Sequence, residues 1–315
     1  MNAKNITKQD NISMFFVEFI RISDVIKWVL ISFTGFVLGI TSTAITTYLI
    51  PFFVFFVTTF FIMSFTFVIN NCYDIETDRE NPRRMHTNAI ASGKITKKAG
   101  VGFSVLCALI ALVISFVFKI EAFVICILLL IQMYIYSAPP LRIKGRPGMD
   151  ILWHFFTFVS IVLWGSLLAG SVTTINWLFA VSVAIDSCIG QVWNHYRDYL
   201  FDKKSRTKTF AVLVGTDITK KTLNILLGVH LIVLIPLILF YSLGYFATII
   251  ILISGIVIGF FILQPQKHPF PSKQSIEAYI AIILSGSVYA SCIIYHLLSV
   301  IGFSPLGLFH GIGIL

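Results

Sequence analysis

The chain carries very little charge for its length: only 12% of its 315 residues are Asp, Glu, Lys or Arg, while 57% are hydrophobic. That scarcity excludes a soluble globular domain, whose surface needs a polar coat. No Ser/Gly linker, low-complexity tract or soluble insert separates the apolar stretches. The chain therefore reads as a single domain, 1–315, with a polar N-terminal segment, 1–24, and a short tail, 299–315. Its five cysteines, Cys72, Cys107, Cys126, Cys188 and Cys292, are scattered without Cys-x-x-Cys spacing, which excludes a disulfide framework and a zinc site. The alternation of polar and apolar residues that marks a membrane barrel strand is also missing, so any spanning segments are helices. No short apolar core with a small-residue cleavage pattern opens the chain, and a removable signal peptide is not expected.

What the chain has in abundance is apolar runs of about 18 to 22 residues, long enough to cross a bilayer as helices. They fall at roughly 25–43, 48–70, 99–118, 120–136, 150–170, 176–195, 223–241, 243–264 and 277–298. The expected fold is all-α and integral to the membrane, with about nine transmembrane helices in one bundle. Of the 23 Lys and Arg, all but Lys119 lie in alternate loops, and all but Glu121 of the 14 acids share that side. Basic loops stay cytoplasmic, so a multi-pass protein with its N-terminus and polar loops inside and its C-terminus outside is expected. The net charge of +9 is then a topology signal, and nucleic acid is excluded as a partner. Acids and bases mixed at one membrane face suit an anionic substrate held through metal ions.

Two clusters carry that chemistry. Asn70, Asp74 and Asp78, with Asn71 beside them, end the second run; Asn194, Asp198 and Asp202 end the sixth with the same Asn-x-x-x-Asp-x-x-x-Asp spacing. The repeat implies two related halves facing each other around a central cavity. Residues four apart on a helix share a face, so each triplet is a ladder of oxygen ligands. Magnesium takes such a sparse set, one or two carboxylates with water and phosphate oxygens filling the remaining positions. A single cluster could be an ordinary solvated helix end; identical spacing at the end of a second span argues against that. Two bare ladders facing each other would repel, and divalent cations with a diphosphate remove the conflict. Arg79, Arg83, Arg84 and Lys94 follow the first ladder, and Arg197, Lys203, Lys204, Arg206 and Lys208 surround the second. Beyond their part in topology, such residues stabilise charge developing on a leaving diphosphate. The polar loops, Arg79 to Lys98 and Tyr199 to Lys221, have the length of functional lids. Within the spans, Asp186 and His154 are costly in hydrocarbon. Asp186 could contact an acceptor hydroxyl or pair with a neighbouring helix, and His154 lies close enough to the interface to be wetted.

Four motifs in order resemble the UbiA superfamily of intramembrane prenyltransferases over most of the chain. The first is Asn70, Asp74 and Asp78. Ile90-Ala91-Ser92-Gly93 is similar to the family's Ile-x-Ser-Gly turn, and Tyr136-Ser137-Ala138-Pro139-Pro140-Leu141-Arg142 with Lys144 to its Tyr-Ser-x-Pro-Pro-Leu-Arg loop. Asp198, Asp202, Lys203, Lys204 and Thr209 match the second aspartate motif. The chain departs from the pattern at Asn88-Ala89, where many members carry Arg-Pro, and at Ser205 and Arg206, where small and glycine residues are usual.

The resemblance implies magnesium-dependent transfer of a prenyl group from a prenyl diphosphate donor to a lipophilic acceptor of the quinone-precursor, ether-lipid or carotenoid type. It implies catalytic roles for Asp74, Asp78, Asp198 and Asp202, with Asn70 and Asn194 completing the metal ligands. Asn70, Arg79, Lys94, Arg142, Lys144, Arg197 and Lys203 would contact the diphosphate, and Tyr136, Asp186 and Asn194 would face the cavity or acceptor. A terpene cyclase on the same scaffold is the alternative. A cation-coupled transporter is the third class; transporters keep their sites near the bilayer midplane, whereas both ladders end their spans.

Overall fold

A backbone surrounded by hydrocarbon must satisfy its own amides and carbonyls, and a continuous apolar run does so only as a helix. The computed structural model describes residues 14–80, 85, 87–204, 207–241, 253 and 272–302; these are helices and connecting turns, with no strand among the described residues. After a π-helical turn at Met14–Phe19 come α1 (Ile22–Leu38), α2 (Leu49–Tyr73), the short α3 (Ile75–Glu80), α4 (Lys97–Phe118) and α5 (Ile120–Ser137). Then follow α6 (Met149–Ala169), α7 (Thr174–Arg197), the short α8 (Tyr199–Lys204) and α9 (Phe210–Val214), α10 (Thr216–Tyr241) and α11 (Ser272–Val300).

Six helices among the described residues are long and apolar enough to cross a membrane: α2 with the turn before it, α4, α5, α6, α7 and α10. The expected first span coincides with the 17-residue α1, and the expected ninth falls on α11, whose apolar part is Leu284–Val300. The expected eighth, 243–264, lies outside the described residues apart from Ile253. The all-helical membrane fold is thus present, and the described residues supply six clear spans rather than a count of nine.

The chain divides into two compact units, residues 1–33 with 49–144 and residues 34–48 with 145–315. In the first, α2 is the central helix and packs against α4 and α5. Its burial is nearly continuous from Thr58 to Ile69. The hydroxyls of Thr58 and Thr66 return to the carbonyls of Val54 (2.5 Å) and Ile62 (2.8 Å), so neither of these two is left unpaired in the packed interior.

In the second unit α7 packs against α6 and α10. The end of α1 also belongs here, held at very short range. A Cβ added at Gly35 would lie 1.9 Å from the Val162 carbonyl oxygen, and one at Gly39 would lie 2.6 Å from that of Ser166. Only hydrogen fits. Gly35 in α1 and Gly39 just beyond its end form a flat stripe on which α6 rests backbone to backbone, the device by which helices associate where lipid removes the hydrophobic incentive. Ser166 reinforces the crossing, donating to the Gly35 carbonyl (2.9 Å) and accepting from the Asn176 amide (2.9 Å).

Gly35→Ala should therefore force α1 and α6 apart and cost about 1–3 kcal/mol through overpacking. Thermal unfolding in detergent should show a clear drop. Gly102→Ala, where an added Cβ meets nothing within 4 Å, is the matched control and should unfold at or above the wild-type temperature.

Candidate active site

Both ladders are built the same way. Helix α2 ends at Tyr73, Asp74 forms a break, and α3 carries Asp78; helix α7 ends at Arg197, Asp198 forms a break, and α8 carries Asp202. The four-residue register survives both breaks. Asp74 N–H donates to Asn70 O (3.0 Å) and Asp78 N–H to Asp74 O (2.8 Å), while Asp198 N–H donates to Asn194 O (2.9 Å) and Asp202 N–H to Asp198 O (2.9 Å). Each unit thus holds one Asn/Asp/Asp triplet spaced as successive helical turns.

Around the first triplet the loop after α5 delivers two cations. Pro139 and Pro140 are joined by a cis peptide, and Arg142 adopts a φ of +39°, a left-handed conformation unusual for a side-chain-bearing residue. The Arg142 N–H bond to Ala138 O (2.9 Å) and the burial of Ile143 hold the chain in that shape. The Lys144 ammonium then contacts Asp74 Oδ1 and donates to Asn70 Oδ1 (2.8 Å), with the Arg142 guanidinium 3.4 Å from Asp74 Oδ1. Ser137, next to the half-buried Tyr136, donates to Asn70 Oδ1 as well (3.2 Å). Burial lowers the Lys144 pKa below the usual lysine value, and the Asp74 carboxylate opposes that shift.

Asp78 is held differently. Asn88 Nδ2 donates to Asp78 Oδ2 (2.8 Å) and to the Asn71 carbonyl (3.1 Å), and its Oδ1 accepts from the amides of Ile90 (2.9 Å) and Ala91 (3.1 Å). One buried amide therefore ties the second carboxylate of the ladder to the Ile90-Ala91-Ser92-Gly93 turn, which closes on Gly93 at φ +78°. Arg79 donates its Nε to Ala91 O (2.9 Å), so it braces the same turn. Lys94 forms an ion pair with Glu18 (2.5 Å). Of the four basic residues expected near the first ladder and inside the described residues, the structure brings Arg142 and Lys144 onto it and engages Arg79 and Lys94 with the neighbouring chain. Arg83 and Arg84 lie outside the described residues.

In the second unit, Arg197 forms a two-pronged pair with Asp198, at 3.0 and 3.1 Å, on an exposed surface. Lys203 reaches Tyr199 (3.4 Å to the hydroxyl), and Asn194 is exposed. Burial raises the Asp202 carboxyl above the usual value, with the Asp198 charge acting in the same direction. A carboxylate whose charge is disfavoured in this way gains most from a nearby cation. Beneath the cluster, Asp150 Oδ2 lies 3.2 Å from His195 Nε2 and accepts from Gln191 (3.3 Å), while Asp150 Oδ1 accepts from the Gly148 amide (3.0 Å). His195 Nδ1 is buried without a hydrogen-bond partner among the described residues. This buried pair was not singled out from the sequence, where Asp150 reads as the first turn of a span and His195 as one residue of a polar helix end.

Asp186 stands apart from the acidic cluster. It lies twelve residues before Asp198, about 18 Å along α7. Tyr289 (2.9 Å) and Ser285 (3.2 Å) donate to its carboxylate, and His230 Nδ1 is 3.1 Å away. It is thus paired with the neighbouring helices α10 and α11, and a quarter of its side chain stays open. His154 is half-buried against Ser187 (3.1 Å) and Phe158.

Among the described residues no three His, Cys, Asp or Glu side chains converge as a closed metal cage. Magnesium keeps several waters and phosphate oxygens, so one or two protein carboxylates are enough to hold it. The donor set is hard oxygen throughout, and Asn70 Oδ1 and Asp74 Oδ1 already converge on one positive charge, the Lys144 ammonium. The ladder can share a cation.

The model of the UbiA prenyltransferase family matches residues 29–275. The chain belongs to that family. Its relatives include a lycopene elongase/hydratase of Corynebacterium glutamicum, 28% identical over 47% of this chain, and a digeranylgeranylglyceryl phosphate synthase of Methanosphaera stadtmanae, 26% identical over 68% of this chain. The match spans about half of the first relative (52%) and three quarters of the second (76%). Among solved structures, a UbiA homolog of Archaeoglobus fulgidus bound to GPP and Mg2+ superposes with a TM-score of 0.65 at 20% identity, covering 90% of this chain and 98% of that one. The UbiA fold is shared, and Asn88, where many UbiA members carry Arg, has a local explanation: here an amide organises the turn and Asp78 together.

Asn88→Ala removes four hydrogen bonds and leaves two buried amides unpaired, so it should destabilise the protein by about 1–3 kcal/mol. Thermal unfolding checks the loss. Limited proteolysis between Asp78 and Lys94 should quicken in the variant; unfolding and cleavage at wild-type values would mean that the amide does not hold the turn.

Proposed function

We propose that this chain ionises an allylic prenyl diphosphate within the bilayer and joins the prenyl group to a lipophilic acceptor. The observation that carries the reading is the repeated triplet: two long apolar helices each end in Asn/Asp/Asp at unbroken helical register, with basic side chains set on the first aspartate of each. Asp74 and Asp78 with Asn70, and Asp198 and Asp202 with Asn194, would hold magnesium, whose charge neutralises the diphosphate and makes it a better leaving group. Arg142, Lys144 and Arg197, which contact those carboxylates, and Lys203, next to Asp202 in sequence, would receive negative charge as it develops. The carbon–oxygen bond breaks with its electron pair going to the diphosphate. The acceptor then supplies an electron pair to the allylic carbon and loses a proton. Apolar helices around the reaction exclude water, which would otherwise capture the cation. Carboxylates at helix ends rather than at mid-span favour this chemistry over ion-coupled transport.

The names of the relatives support two acceptor classes, a carotenoid end and a glycerol-phosphate ether lipid. Incubation with labelled prenyl diphosphates and each acceptor class, followed by identification of the labelled product, decides between them and reveals a cyclase if the donor alone is consumed.

Asp74→Ala and Asp198→Ala should each lower magnesium-dependent diphosphate release by at least about 100-fold, and chelation should do the same to the unmodified protein. The double variant should be little worse than either single one, because residues acting as a unit are non-additive. Product formation at the wild-type rate by the double variant would reduce both clusters to ordinary polar helix ends.

We also propose that the polar loops face the cytoplasm, as the one-sided placement of Lys and Arg supports. A cysteine placed at Ser92 should react with an impermeant thiol reagent only after the cytoplasmic face is opened. Labelling in intact cells would reverse the orientation.

A further inference from the structure

Asn70 has one acceptor oxygen, and a carbonyl oxygen has two lone pairs. Both are in use: Ser137 donates to Asn70 Oδ1 at 3.2 Å and Lys144 at 2.8 Å. The same Lys144 ammonium contacts Asp74 Oδ1, on which the Arg142 guanidinium also bears at 3.4 Å. Lys144 and Asp74 are both mostly shielded, with 16% and 14% of their side chains exposed, so solvent screens the pair weakly. If Asn70 and Asp74 are ligands of a divalent cation, that cation and the ammonium compete for the same oxygens. A cation taking the second oxygen of Asp74 would still stand within a few ångströms of a like charge.

We propose that Lys144 is a tethered competitor of the metal, one that makes metal binding at the first cluster depend on the diphosphate. This rests on reading that cluster as a magnesium–diphosphate site. The ammonium bridges Asn70 and Asp74 and opposes a divalent cation arriving alone. A diphosphate supplies new oxygens close by, and the lysine stem, with four rotatable bonds, carries the ammonium from the carboxylate to the phosphate. The Asp74 carboxylate then turns to the metal, and the lysine turns to the anion. Metal and donor load together, and Asp74 is not left bare in the exchange. Arg142 is 43% exposed and has no contact with Asn70, so the exchange belongs to Lys144.

The test uses the full chain in detergent and two probes, Mn2+ alone, followed through the resonance of the free ion, and radiolabelled inorganic diphosphate at fixed magnesium, followed by equilibrium dialysis. Lys144→Met should tighten binding of Mn2+ alone about fivefold, because a like charge is removed beside the ligands, and weaken diphosphate retention about tenfold. The opposite signs are the signature; a merely structural lysine would weaken both. Lys144→Arg keeps the charge and should leave Mn2+ affinity within about twofold of wild type. Lys144→Gln, which retains a donor to Asn70, serves in place of Lys144→Met if that variant elutes aggregated, with the same pair of outcomes expected. Unchanged or weaker Mn2+ binding in the neutral variant, with Asp74-dependent metal and diphosphate binding intact in the wild type, overturns the role of Lys144 and leaves the site assignment standing. If Asp74→Ala binds both probes as the wild type does, the site assignment itself fails, and this inference with it.

Discussion

Asp74 closes a 25-residue apolar helix, and at that boundary its carboxylate is met by Lys144 and approached by Arg142. A carboxylate leaving water for such a place is costly unless it is paired, and breaking one partner of a shielded pair costs more than the pair itself contributes. Much of the first unit can be read as meeting that requirement. The loop after α5 accepts a left-handed Arg142 in order to bring two cations to one oxygen, and Ser137 joins them at Asn70. Asp78, one turn further on, takes a hydrogen bond from the neutral Asn88 amide, which ties it to the turn that follows.

The second ladder meets the requirement less tightly. Arg197 and Asp198 are adjacent in sequence and about half exposed, so their pairing is screened by water and contributes little to stability. A better shielded contact lies one turn back, where Asp150 of α6 meets His195 of α7. The same Asn/Asp/Asp spacing is therefore set in two different environments, and the two triplets are not interchangeable.

What could be read in the sequence follows a physical dividing line. A helix repeats every 3.6 residues, so the alignment of Asn70 with Asp74 and Asp78, and of Asn194 with Asp198 and Asp202, is a local property visible in spacing alone. Apolar run length gives the spanning helices for the same reason. The basic residues show the limit. Arg79 and Lys94 are near the ladder in sequence yet engage Ala91 and Glu18, whereas Lys144, 70 residues from Asp74, contacts it. Proximity along the chain says little about where a long flexible side chain ends up. Asn88 stands out in the sequence only as a departure from the family pattern; what it holds, and the pairing of Asp150 with His195, could not be read there because each depends on a contact between separate segments.

The glycine stripe of α1 has a consequence for how the protein is made. Gly35 accepts a hydrogen bond from Ser166, 131 residues later in the chain. At roughly 5–20 residues per second, the ribosome needs on the order of 7–26 seconds to deliver that partner after α1 has emerged. Throughout that interval α1 waits in the bilayer with a flat, small-residue face uncovered, a face suited to any passing helix. Faithful assembly is then a matter of timing as much as of fit.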